Sequence, residues 1–269
     1  DIEMSGDNHI NAVYGWQTTT YQTHFIEADI FIDCSGDSIL AELSGAEYRH
    51  GREAKSEYGE EAAPEAADRQ TMGNSCLLQA RETSAHIEFI PPKWARKLDS
   101  EDNLKTRDHM PSSYRGNNFW WLELGGNRDT IKDAEEIRDD LLSLSFGVWD
   151  HIKNHGDHDA ENWELDWAGF LPGKRESRRY IGDHILNQVE GQSGGKFEDI
   201  VAYGGWQIDD HPPMGFDHKG DPTKYYKCPS PFGIPYRCLY SVNIDNLMFA
   251  GRNISVTHAA MAASRVMAT

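Results

Sequence analysis

A chain of 269 residues is long enough to bury the core of one large domain or two smaller ones, and its 8 Trp, 11 Tyr and 10 Phe argue against disorder. A formal charge of −18, from 26 basic and 44 acidic residues, repels nucleic acid phosphates and anionic lipid, so neither is expected as a partner. No apolar run approaches the roughly 20 residues that span a bilayer, and Cys34, Cys76, Cys228 and Cys238 form no CxxC pair, so buried free thiols are expected rather than a zinc or iron–sulfur site.

Residues 8–33 read as strands, the last of them, over 25–33, rich in β-branched and aromatic residues. It runs into Cys34-Ser35-Gly36-Asp37, and a helix is predicted over 38–44 with Gly45 ending it. Strand, glycine turn and helix together are the grammar of an α/β nucleotide-binding unit. Residues 46–70 read as charged helix and loop, and 91–128 as an irregular excursion. Thr130-Ile131-Lys132-Asp133 resembles a capping box with Asp in place of Glu. Ile131, Ala134, Ile137, Leu141, Leu144, Val148 and Ile152 then recur at helical spacing, which predicts a core-packing stripe ended by Gly156. Residues 201–236 are loop-heavy and aromatic. Strands are predicted again over 237–242 and 246–250, followed by a turn at Gly251 and an Ala-rich helix over 257–268.

Several segments could bear chemistry. At Gly36-Asp37 a glycine after a strand lets backbone approach a ligand, and the following helix offers N–H groups to an anion; a structural turn fits the same residues. At Gly251-Arg252-Asn253, Arg252 adds a fixed charge suited to a pyrophosphate. His258 falls in the first turn of the next helix, where the dipole is expected to favour the neutral ring. Lys174, Arg175, Arg178 and Arg179 form a basic cluster, read either as surface ion pairing with Glu176 or as an anion clamp. Trp206, Asp210 and His211 lie between a double glycine and a double proline, in a loop that could present a base or simply turn the chain. His155-Gly156-Asp157-His158-Asp159 follows a helix among charges and reads as a solvated loop rather than a metal site.

Five stretches carry a family resemblance: ADIFIDCSGDSILAELSGAEYRHGREAKSEYGE at 28–60, TMGNSCLLQARE at 71–82, LPGKRESRRYIGDHIL at 171–186, GGWQIDDHPP at 204–213, and IPYRCLYSVNIDNLMFAGRNISVTHAAMAASRVMAT at 234–269. In these the chain resembles bacterial FAD-dependent oxidoreductases of the FAD-oxidored group, related to the flavin subunit of heterodisulfide reductase. The GKRESRR and FAGRNIS segments are the most specific.

The resemblance implies an α/β fold, α+β overall: a partial Rossmann-like FAD-binding domain with an inserted substrate or cap region. The expected organisation is 1–50 in the FAD domain, 51–200 in the inserted region, and 201–269 returning to the FAD domain. Gly36, Asp37, Gly251, Arg252, Asn253 and Ser255 are implied as neighbours of FAD, and His258 as a residue near its isoalloxazine. His211 and His258 are the acid/base candidates. Arg175, Arg178 and Trp206 are candidate contacts to a small-molecule substrate. The GxGxxG fingerprint that such proteins use for the pyrophosphate occurs nowhere in the 269 residues, so an incomplete chain, with that motif upstream of Asp1, is expected. The reading that competes with an oxidoreductase is a carbohydrate-binding or structural module, with Trp94, Trp120, Trp121, Trp163, Trp167 and Trp206 as stacking groups.

Overall fold

In the computed structural model, residues 1–112, 119–229 and 231–266 are described. They divide into two compact units. The first comprises Asp1–Thr71, Glu176–Asp210 and Tyr225–Thr269, and the second Met72–Arg175 and His211–Lys224. The second unit thus interrupts the first twice, at bounds that differ from the 51–200 expected.

The first unit opens with an antiparallel meander, β1 (Ile2–Ser5), β2 (His9–Gln17) and β3 (Gln22–Glu27). The strand expected over 25–33 is broken. β3 ends at Glu27, and β4 (Phe31–Asp33) begins a new ladder, with the Phe31 N–H donating to the Asn246 carbonyl at 2.9 Å. Helix α1 (Ile39–Ser44) follows, ended by Gly45 in the left-handed region as predicted. β5 (Tyr48–His50) and the short α2 (Lys55–Tyr58) complete this stretch.

The second unit holds β6 (Asn74–Ser75), β7 (Leu78–Glu82), β8 (Glu123–Leu124), α3 (Ala134–Asn154), β9 (Trp163–Ala168) and β10 (Gly173–Lys174). β10, β6 and β8 form a small antiparallel sheet, and β7 pairs with β9. Helix α3 buries Ile137, Leu141, Leu144, Val148 and Ile152, five of the positions in the predicted stripe. Each such side chain contributes roughly 1.5–3 kcal/mol on burial. The expected capping box starts one residue earlier. Asp129 accepts the N–H groups of Ile131 and Lys132, both at 3.0 Å, and its own N–H donates to Asp133 at 3.1 Å. Trp121 and Trp149 are buried in the core with Leu98, Leu104 and Phe119, which removes Trp121 as a sugar platform.

The chain re-enters the first unit through β11 (Arg178–Tyr180), α4 (Gln188–Gln192), β12 (Ile200–Gly204) and β13 (Ile208–Asp210). After β14 (Lys224–Tyr226) come β15 (Phe232–Pro235), β16 (Leu247–Phe249) and α5 (His258–Ser264). No strand forms over 237–242. Tyr236–Cys238 is a single 3₁₀ turn, closed by Leu239 N–H to the Tyr236 carbonyl at 2.9 Å and held by Asp199, which binds Arg237. α5 is shorter than the helix expected over 257–268; 267–268 lie outside the described residues.

β16 and β4 run parallel, with Leu247, Met248 and Phe249 opposite Phe31, Ile32 and Asp33. This local pairing is what the α/β expectation finds. No larger Rossmann sheet appears among the described residues, whose sheets have two or three strands. Tyr180 stacks flat on Phe249 at 4.3 Å and sends its hydroxyl to Asp33 at 2.6 Å, which locks β11 under the parallel pair. No helix among the described residues is long and apolar enough to cross a membrane. Cys76, Cys228 and Cys238 are buried free thiols, as expected, whereas Cys34 is exposed.

Candidate functional site

Both glycine turns singled out in the sequence leave from the carboxyl ends of the parallel pair, β4 into Gly36-Asp37 and β16 into Gly251-Arg252-Asn253. In open α/β sheets ligands bind at this end of the strands. Asp33, the last residue of β4, accepts the Ser35 N–H at 2.8 Å, the Leu40 N–H at 3.0 Å and the Tyr180 hydroxyl. Burial opposes its charge, but these donors hold its carboxyl below the usual range. The turn is therefore fixed from below before any ligand arrives.

Asp37 and Arg252 meet across the two turns, Oδ1 to Nη2 at 2.7 Å. Ser177 donates to the same Asp37 oxygen at 2.7 Å and to the Gly36 carbonyl at 3.2 Å. Arg178 Nε donates to the Asp37 carbonyl at 2.9 Å. Gly36 and Gly251 have φ of +76° and +95°, the region that favours glycine. A side chain at Gly36 would press on the Arg252 guanidinium, whereas at Gly251 it would enter nearly open space beside Asn253 Oδ1, 3.7 Å away.

Arg252 Nε, Asn253 Oδ1 and Ser255 Oγ are buried without a hydrogen-bond partner. A buried polar group left unpaired costs about 1–3 kcal/mol, so these atoms are suited to a polar ligand. Ser255 is also pinned by its backbone, donating to the Cys238 carbonyl at 3.0 Å and accepting from Leu186 at 3.1 Å.

His258 departs from expectation. Its ring is buried, with Nδ1 2.7 Å from Glu176 and Nε2 3.2 Å from Asp210, and its backbone N–H donates to Glu53 at 2.8 Å. Burial opposes a charge here, but Glu176 and Asp210 outweigh it and push the imidazole up to about 10. The ring is a cation at neutral pH, not the neutral imidazole that the helix dipole alone predicts. Seven-residue α5 supplies too weak a field to compete with two carboxylates in direct contact. Arg179 extends this network, buried against Glu53 at 3.1 Å, the Val256 carbonyl at 2.9 Å and the Gly51 carbonyl.

The basic cluster is therefore not a surface array: Glu176, Arg178 and Arg179 are buried in the first unit, and Arg175 belongs to the second. Arg178 reaches Glu42 at 2.9 Å and lies over the Tyr48 ring. In the second unit Arg175 lies 3.2 Å from Glu123, to which His211 Nδ1 is bonded at 2.6 Å, and donates to the Trp120 carbonyl at 3.0 Å. Burial would raise the Glu123 carboxyl, yet Arg175 and His211 hold it low and ionised. Trp206 is about half exposed. Sequence reasoning missed Glu53, Ser177 and Tyr180. Only the place of Ser177 in the specific GKRESRR segment, and of Tyr180 directly after it, marked the last two.

A family model described as FAD dependent oxidoreductase matches residues 1–269, the whole chain. The chain belongs to the FAD dependent oxidoreductase family. It is accordingly an oxidoreductase whose cofactor is FAD and whose substrate is a small molecule. No curated protein and no solved structure matches it. The polar atoms left unpaired at Arg252, Asn253 and Ser255, and the open space beside Gly251, fit such a cofactor.

Proposed function

We propose that FAD is seated across the two turns at the carboxyl ends of β4 and β16, with Gly36, Asp37, Gly251, Arg252, Asn253 and Ser255 as its neighbours. The observation that carries this reading is the meeting of Asp37 with Arg252 beside unpartnered Asn253 Oδ1, at the end of a parallel strand pair. When bound, FAD supplies the hydride or electron-pair chemistry. The chain's residues bind and orient it. Asp37 holds the Arg252 guanidinium in place, leaving Nε for an acceptor, and Ser177 holds Asp37. Gly251 admits the ligand close to the backbone.

His258 serves here as a positioning residue. With both ring nitrogens engaged by carboxylates, it keeps its proton and ties α5 to β13 and to the turn before β11. Arg175 and His211 serve to keep Glu123 ionised; of the substrate contacts expected at Arg175, Arg178 and Trp206, the last two remain. The reading is tested by flavin titration of the protein and of Arg252→Ala and Asn253→Ala, each checked for an unchanged melting profile. Weaker FAD binding in both variants supports it. Unchanged affinity in both refutes it.

A further inference from the structure

In the second unit, three histidines and one glutamate from four separate segments converge. Glu101 sits on the 3₁₀ turn Glu101–Asn103, His109 in the following loop, His151 in the last turn of α3, and His158 beyond its end. The segment around His158, read from sequence as a solvated loop, instead buries that ring. We propose that Glu101, His109, His151 and His158 bind one divalent transition-metal ion of the zinc class, a structural clip independent of the flavin site.

The distances fit such an ion. His109 Nε2 and His158 Nε2 are 3.1 Å apart. Glu101 Oε1 lies 3.0 Å from His158 Nε2 and 3.3 Å from His151 Nε2, and Oε2 lies 3.4 Å from His109 Nε2. Ligands at about 2.0–2.1 Å from a tetrahedral ion stand about 3.3–3.4 Å from one another. One ligand atom from each of the four residues can be chosen so that all lie within 4.8 Å.

The tautomers of two of the three rings are set for ligation. His151 Nδ1 donates to the Leu98 carbonyl at 2.6 Å, and His109 Nδ1 donates to the Arg107 carbonyl at 2.7 Å. A carbonyl only accepts, so in the neutral rings the protons sit on Nδ1 and the Nε2 lone pairs face the centre. Such backbone partners are the usual outer support of a metal-binding imidazole. His151 Nε2 is fully buried and makes no hydrogen bond, and it points into the cluster. A cation supplies the partner that its lone pair lacks.

Gly156 makes room for the arrangement. Its φ is +139°, and a Cβ there would stand 2.6 Å from Glu101 Oε1 and 2.6 Å from His158 Cε1. The donor set also selects the class of ion. Imidazoles with a single carboxylate suit zinc and its first-row neighbours, whereas magnesium and calcium prefer all-oxygen shells.

The test is zinc titration of the full chain, prepared without a histidine tag and stripped with chelator. Calorimetry gives stoichiometry and affinity, and melting curves give the thermal shift. We expect one zinc per chain and a rise in Tm, with affinity falling at least tenfold in His109→Ala and in Glu101→Gln. Glu101 is exposed, so its substitution leaves the fold intact and keeps the test decisive should His109→Ala misfold. His155→Ala, adjacent but outside the set, should bind as the parent does, and magnesium should not bind. The proposal is overturned by absence of zinc binding to the parent chain, by magnesium binding as tightly as zinc, or by parental zinc affinity in Glu101→Gln.

Discussion

Each unit buries a histidine centre, and the two are built in opposite ways. In the first, His258 lies between Glu176 and Asp210, with Glu53 on its backbone, so anionic partners surround one imidazole. In the second, His109, His151 and His158 face one another across Glu101, the only carboxylate among the four. An imidazole enclosed by carboxylates takes up a proton and becomes a permanent cation. Imidazoles that crowd together cannot all do so, and burial with His109 close by holds the His158 ring below the usual histidine range. The same residue type therefore makes a closed ion pair in one place and an open ligand set in the other, and the partner, not the histidine, decides which.

Removal of the enclosed cation is expected to have the largest effect. His258→Ala leaves Glu176 and Asp210 without their shared partner, and a broken buried pair of this kind costs about 3–5 kcal/mol. Urea denaturation should find that loss; a change near zero would mean that the ring is not a cation. His211→Ala should cost less, about 1–3 kcal/mol, because Arg175 still compensates Glu123 when the imidazole is gone.

Acid–base linkage gives His258 a pH signature. The folded state raises His258 from 6.5 to about 10, so folding favours its protonated form. Its stabilisation is fully present below the unfolded value and fades as pH rises from there through about 10. The stability difference between the parent and His258→Gln should accordingly be constant in mild acid and shrink steadily in alkali. A difference that grows with pH would reverse the assigned charge. The smallest effect is expected at Trp206, whose half-exposed ring should cost within about 0.5 kcal/mol on change to Ala, as measured by the same denaturation.

Much of the flavin-facing region was legible because its signals are local. A strand, a glycine and a polar turn announce themselves within a dozen residues at both 31–37 and 247–253, and α3 was visible in its period. Partners from far along the chain were not legible. Nothing near His258 in sequence discloses that Glu176, Asp210 and Glu53 will close around it, so a dipole argument gave the wrong charge. The stretch after Pro235 has strand composition, but the Asp199 carboxylate, brought in from a distant loop, draws Arg237 into a 3₁₀ turn. The histidine cluster was hidden for the same reason, one ligand per segment with no spacing to betray it. His158 alone looked like solvated loop because its neighbours in sequence are charged, while its neighbours in space are imidazoles.

The placement of FAD over the turns after β4 and β16 is open to a direct check. Hydrogen–deuterium exchange with and without FAD tests it most directly. Slower exchange is expected in the peptides covering 34–38 and 251–256 when FAD is added. Protection confined to other segments, with these two unchanged, would contradict it.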